Sequence, residues 1–467
     1  MHLFVVILFN NNKWHTFLKV RQEMKKLLFT NRQLRQLIIP LIIEQFLTVM
    51  VGMADTVMTA SVGEAAVSAV SLVDTVMVLL INIFAALATG GAVVVGQYIG
   101  QKRIEDACKV AEQLNIFITV LAMTVTIFVY AGQDLILHGV FGKIEPDVME
   151  NSRIYLLIVA ASIPFIALYN GGSAVFRSMG NSQISMKTSL FMNGVNICGN
   201  ALLIYGLKMG VAGAAIPTLV SRVLAAIIII LLLCREKYTV HLRRNMSFRF
   251  NGHIVRKILH IGVPNGLENS MFQLGKILVL SLVAAFGTTS IAANAVSNTI
   301  AMFQILPGMA IGFAILTVTA QCVGAGDYEQ VKYYTKKLLL ITYLAMWILN
   351  IVIYLLLPVL VRVYHLSPET AGLTEKLLSY HSICACLIWP LAFSLPNTLR
   401  AANDVKVTMW ISIASMWVFR IAFSYLLAKY LGWGVFGVWV AMTIDWLFRA
   451  LCFVVRYMRG EWQFQKI

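Results

Sequence analysis

Ile39-Pro40-Leu41-Ile42-Ile43-Glu44 and Val263-Pro264-Asn265-Gly266-Leu267-Glu268 each set a proline and, four residues on, a glutamate inside an apolar stretch, and they stand 224 residues apart. The same shift carries Gly63 onto Gly287, then Gln97, Gly100 and Glu105 onto Gln321, Gly324 and Glu329, and later Gly210 and Gly213 onto Gly434 and Gly437. Arg177 and Arg400 correspond with a drift of one residue. A composition this biased supplies one such pairing by chance, but not agreement at several places at one offset. The chain is a tandem duplication, and duplicated halves are how many transporters are built.

The composition says what the copied unit is. Of 467 residues, 59% are hydrophobic and 12% charged, and a soluble fold of that length has too little interior to hide so much apolar surface. Mean hydropathy is +0.79. Apolar stretches of about 20 residues, each enough to cross a bilayer core as a helix, recur along the whole chain. They predict an all-α integral membrane protein with twelve transmembrane helices in two pseudo-symmetric six-helix bundles. Six spans return each copy to its starting side, so both copies insert in the same sense around a central cleft. The expected boundaries are a tail over 1–33, a first lobe over 34–234, a basic linker over 235–253, a second lobe over 254–458 and a tail over 459–467. Residues 2–9 are apolar but too short to span and lack the flanks of a signal peptide. Met24 opens Met-Lys-Lys-Leu-Leu, a more usual beginning for such a protein.

The formal charge of +16 does not point to nucleic acid, because Lys and Arg form no basic face or aromatic platform. They cluster in alternate links: Arg21 to Arg35, Lys102 and Arg103, Arg177 to Lys187, Arg235 to Lys257, Lys332 to Lys337, Arg400 to Lys406 and Arg456 to Lys466. By the positive-inside rule these links and both termini face the cytoplasm of a plasma membrane. The seven cysteines have no C-x-x-C spacing and read as small buried hydrophobes. No cofactor is implied, and the chain reads as a monomer.

An ionisable group at mid-membrane costs on the order of 3 kcal/mol, so each one needs a partner or a purpose. Asp55 lies in Val-Gly-Met-Ala-Asp-Thr-Val-Met, and Glu44 precedes it by 11 residues, which puts both acids on one helix face roughly 16 Å apart. Asn193, Asn196 and Asn200 follow on a later span, the last two aligned by i, i+4 spacing, and Thr218 comes just after Pro217. A carboxylate, amides and a hydroxyl suit either Na⁺ or a retained proton, and equally suit packing hydrogen bonds between helices. The second half does not repeat the set: Val279 stands opposite Asp55, Arg420 opposite Asn196, Ser424 opposite Asn200 and Met442 opposite Thr218. It keeps Glu268, with Gln273 and Lys276 on the same span and Asp445 on the last. Glu268 is expected to pair with Lys276 or Arg420 as a structural or gating ion pair.

With these residues in view the chain resembles the bacterial MATE (multidrug and toxic compound extrusion) family, over about residues 30–458. The resemblance rests on Pro40 followed by Asp55, on Gly-Gln-Tyr-Ile-Gly (Gly96 to Gly100), on Phe-Arg-Ser-Met-Gly-Asn-Ser-Gln (Phe176 to Gln183) and on Gly-Val-Ala-Gly-Ala-Ala-Ile-Pro-Thr (Gly210 to Thr218). It implies export of organic, often cationic and aromatic, compounds in exchange for Na⁺ or H⁺. It also implies a cation site at Asp55, Asn196, Asn200 and Thr218, with a bend of the first span at Pro40, whose missing N–H leaves the carbonyl of Gln36 free. The chain departs from one branch of that family at Cys386 to Pro390, where a Tyr and an Asp are missing. A lipid-linked sugar or peptidoglycan-precursor flippase shares the architecture but calls for a cationic cavity, for which Arg222, Lys276 and Arg420 are the candidates. A membrane enzyme fits poorly, since His138, His241, His253, His260, His365 and His381 are scattered without metal-ligand spacing.

Overall fold

Thr30 starts the first helix: its hydroxyl accepts from the Gln33 amide while the Gln33 side chain takes up the Thr30 N–H. In this computed structural model, which describes residues 27–465 apart from 141, 143, 244–249 and 365, that helix is α1, Asn31–Ala60. The expectations for the first 26 residues, Met24 included, and for His365 fall outside the described residues. The first half continues with α2 (Glu64–Gly100), α3 (Ile104–Ala131), α4 (Pro146–Ala160), α5 (Ile163–Ser178), α6 (Ser182–Asn200) and α7 (Ala212–Leu233). The second half has α8 (Gly252–Ala284), α9 (Thr288–Gly324), α10 (Tyr328–Val363), α11 (Pro368–Ala401), α12 (Val405–Tyr430) and α13 (Gly434–Arg459).

The fold is all-α and crosses the membrane many times. Ten of these helices are long and apolar enough to span a bilayer, and α4 with α5, bent by 46°, pass the same test as a pair. The predicted count of twelve is not reached, because α6 falls short: Ser182, Ser185, Ser189, Asn193, Asn196 and Asn200 lower its hydropathy. Large apolar side chains such as Ile127, Phe128, Ile348 and Leu355 stand exposed on the helices, as a lipid solvent requires.

The duplication is written into the backbone. α2 and α9 are both 37 residues long and both start from a glycine with positive φ, Gly63 and Gly287. Left-handed residues recur in pairs at the same shift or within one residue of it: Lys102 with Gly326, Gly180 with Asn403, Lys208 with Gly432 and Gly210 with Gly434. The π-helical turn Ala201–Gly206 that extends α6 answers Tyr425–Tyr430 at the end of α12. Lysine and asparagine hold conformations that favour glycine at three of these turns, so the turn geometry has been kept where the residue has not.

The helices at the centre are α1, α2, α8 and α9. α1 packs on α6 of its own half and α9 of the other, while α2 packs on α5, α8 and α9. The first half has a core built around α2, α3 and α5, and the second has one around α9, α10 and α11. The start of the segment between the halves is docked: Val240 and Leu242 are buried, and the Arg243 N–H donates to Glu112 on α3 at 3.0 Å. All seven cysteines are free, but only Cys108 and Cys322 are buried, and Cys198 and Cys234 are exposed, so the expectation of buried hydrophobes holds for two of them.

Candidate ion and substrate sites

Four residues singled out from sequence come together in one hydrogen-bonded chain across α1, α6 and α7. Asn200 Nδ2 donates to Asp55 Oδ1 at 2.7 Å and to Asn196 Oδ1 at 3.4 Å, and Asn196 Nδ2 donates to Thr218 Oγ1 at 3.1 Å. The i, i+4 spacing on α6 aims both amides at α1 and α7. Asn200 is 1% exposed, and its Oδ1 is buried with no hydrogen-bond partner. The carboxylate, two amides and hydroxyl form an oxygen-rich cluster, the kind of donor set that hard cations prefer. Asn193 does not join; it lies one turn away against Ser189.

Sequence reasoning missed Asp74 and Tyr155 in this neighbourhood and considered Arg222 only for a cationic cavity. Asp74 on α2 lies close enough to Asp55 for their charges to interact, and Arg222 on α7 attracts both. Tyr155 donates to Asp74 Oδ1 at 3.3 Å, and Arg222 donates to Ser162 at 2.8 Å. The signal was present, since Asp74 is an acid within an apolar run and falls under the rule that selected Asp55.

Glu44 and Glu268 have a different office. Each is buried and each meets an arginine from the helix that ends just before the same link: Arg177 lies 3.3 Å from Glu44, and Arg400 Nη2 donates to both oxygens of Glu268 at 2.8 and 2.9 Å. Ser185 also donates to Glu44, at 2.8 Å. This corrects two expectations. Glu268 pairs with Arg400 and not with Lys276 or Arg420, and Arg177 and Arg400, counted among the basic links, are the half-buried partners of two buried glutamates in a duplicated ion pair.

Pro40 sits inside an unbroken α1, buried. Its missing N–H frees the carbonyl of Gln36, and Ser182 at the start of α6 donates there at 3.3 Å and to the Leu37 carbonyl at 2.7 Å. The helix therefore carries a proline with its lost bond partly replaced from outside.

In the second half, Asp445 on α13 is fully buried between Arg420 (3.1 Å) and Arg449 (2.9 Å) and accepts from Ser415. Arg420 belongs to a π-helical turn, Met416–Ala422, which has no counterpart in the first half. Next to it, His381 contacts Gln304 and packs edge-on against Trp439 and Trp446. The two halves thus differ in sign: Asp55 and Asp74 outnumber Arg222 in one, while Lys276, Arg420 and Arg449 outnumber Asp445 in the other.

The halves meet tightly at the end that carries the basic links. Gln97 Nε2 donates to the Ala401 carbonyl at 2.9 Å, and Gln321 Nε2 donates to the Ser178 carbonyl at 2.7 Å, a reciprocal pair of contacts made by equivalent residues. α2 and α9 cross there with no room to spare: a β-carbon on Gly100 would meet the Gln321 carbonyl, and one on Gly324 the Gln97 carbonyl. Small residues at such crossings let membrane helices approach backbone to backbone. Gly100→Ala and Gly324→Ala are expected to weaken this closed end and shift the protein toward the alternative opening. Spin labels at positions 102 and 332, in a background without native cysteines, should then show a longer distance population; an unchanged distribution would mean the crossing adapts.

Relatives agree with the duplicated helical design. The MatE family model matches twice, at residues 40–202 and 264–426, the offset found in the sequence. The chain is 27% identical over 433 residues to "Uncharacterized transporter YisQ" of Bacillus subtilis, covering 91% of this chain and 93% of that protein. It is 23% identical over 441 residues to "Probable multidrug resistance protein NorM" of Thermotoga maritima, covering 92% and 93%. A solved structure described as the outward-facing conformation of a multidrug resistance MATE family transporter of the MOP superfamily superposes with a TM-score of 0.86 at 22% identity, over 93% of this chain and 98% of the other. One described as MATE in the straight conformation gives 0.85 at 22% identity, over 91% and 95%. With the family model matching both halves of an all-helical membrane fold, the chain belongs to the MatE family of membrane transporters.

Proposed function

We propose that this protein is a secondary active antiporter of the bacterial plasma membrane that exports small organic compounds, cationic or aromatic in character, in exchange for Na⁺ or H⁺. Counting α4 with α5 as one span and α6 with its π-helical turn as another gives twelve spans in two six-helix lobes, residues 34–234 and 254–458. The basic links put both termini in the cytoplasm. Asp55, Asn196, Asn200 and Thr218 take the coupling ion, with Asp74 and Arg222 setting the charge around it.

The observation that carries this reading is the continuous chain from Asp55 through Asn200 and Asn196 to Thr218, which gathers polar side chains of α1, α6 and α7 on one carboxylate. Ion binding there changes which state of the lobes is favoured, and coupling follows only if ion and cargo favour different states. Exchange of one proton for one monovalent cation moves no net charge, so one pH unit then supports about a tenfold cargo gradient. Cells with and without the protein, loaded with a fluorescent organic cation or a neutral aromatic dye and given an outside-high Na⁺ or H⁺ jump, test the reading. Efflux that accelerates with one ion only in the expressing cells supports it; equal efflux in both refutes it.

A further inference from the structure

The geometry points to an anion-binding site in the second half, formed by Lys276, Arg420 and Arg449 around Phe272, which takes the oxyanion group of an aromatic or apolar organic solute. Its assignment as a cargo site rests on the antiporter reading; binding itself does not.

Three cations share one ring. Arg420, Lys276 and Arg449 lie 4.8, 5.0 and 5.6 Å from the Phe272 centroid. Among the described residues Asp445 supplies the one carboxylate in contact with them, and it is already held between Arg420 and Arg449. Arg449 is largely committed, with Nε on Asp445 and Nη2 on the Ser412 carbonyl at 3.0 Å. Arg420 is 6% exposed, and Asp445 is its one polar partner among the described residues. Lys276 has no hydrogen bond or ion pair among the described residues and feels the charge of Arg420, yet its side chain remains reachable. Like charges in a membrane interior, short of counter-charge, are costly unless something anionic joins them.

The surroundings are built to let this happen. Gly275 allows α12 to press against α8, since a β-carbon there would collide with Met416, and the π-helical turn that follows brings Arg420 toward Lys276. Phe393 lies edge-on to Phe272 at 6.4 Å and stacks with Trp389 at 4.9 Å, a wall suited to a flat apolar body. Arg420 stands where the first half has Asn196, and Trp446 where it has Arg222, so one ancestral framework now holds acids in one lobe and bases in the other.

Calorimetry on the purified full-length protein in phosphatidylcholine nanodiscs tests this with two probes of matched shape, naphthalene carboxylate and naphthylmethylammonium. The carboxylate is expected to bind more tightly, Lys276→Gln to weaken it about tenfold, and Lys276→Arg to restore it. Equal or tighter binding of the ammonium, or no effect of Lys276→Gln, would overturn the site. Loss of carboxylate binding when phosphatidylglycerol is added to the discs would make it a lipid headgroup site and overturn the cargo assignment. Carboxylate binding is expected to survive Asp55→Asn. If it does while Asp55→Asn also keeps gradient-driven transport, the coupling reading fails and the anion site stands.

Discussion

Asp55→Asn is expected to abolish gradient-driven transport while leaving the protein folded and inserted. The substitution keeps the shape of the side chain and an oxygen to accept from Asn200, whose bond to Asp55 is 2.7 Å long. It removes the charge, and with it any proton the group could carry. Exchange of labelled for unlabelled cargo at equal concentrations should persist, because it needs the lobes to rock but not the ion to bind. In proteoliposomes with an imposed Na⁺ or H⁺ gradient, the variant should fall to the passive leak of empty vesicles. Concentrative transport at the wild-type rate would remove Asp55 from the coupling site.

Arg400→Met is expected to be strongly destabilising, more so than Arg177→Met. Arg400 gives two hydrogen bonds to Glu268 and a third, at 2.9 Å, to Asn397, and Glu268 is buried. Removing the cation leaves an uncompensated carboxylate in the interior, a loss of about 3–5 kcal/mol. Adding Glu268→Gln removes that carboxylate's charge and should recover most of the loss. Arg177→Met is expected to cost less, since Arg177 makes a single 3.3 Å contact with Glu44 and Ser185 continues to donate there. Thermal unfolding in detergent ranks the variants. An Arg400→Met protein as stable as wild type would show that Glu268 does not depend on its partner.

The duplicated pairs also show where sequence reading stops. Both glutamates and both arginines were visible as repeats, yet each pair is joined across more than a hundred residues, which no local spacing reveals. Read from sequence, Glu268 is matched with Lys276 on its own span or with Arg420, because nothing local points to Arg400. The Asp55 cluster was legible because its amides obey a helical period and its acid stands alone in an apolar run. Asp74 stood equally alone, but Tyr155 and Arg222 come from other helices, so nothing nearby in sequence marked it as part of a set. The polarity that made α6 conspicuous as a site is also what drops it below the hydropathy of the other spans, since its buried face carries serine, threonine and asparagine.

Coupling is reciprocal, and this allows its most direct test. Proteoliposomes containing the wild-type protein, an internal Na⁺ or pH reporter and no initial ion gradient are given a steep gradient of an exported compound. The antiporter predicts that the ion moves uphill in the direction opposite to the compound, stops when the compound equilibrates, and does not move in Asp55→Asn vesicles. Passage of the compound through the wild-type protein with no movement of either ion would contradict it.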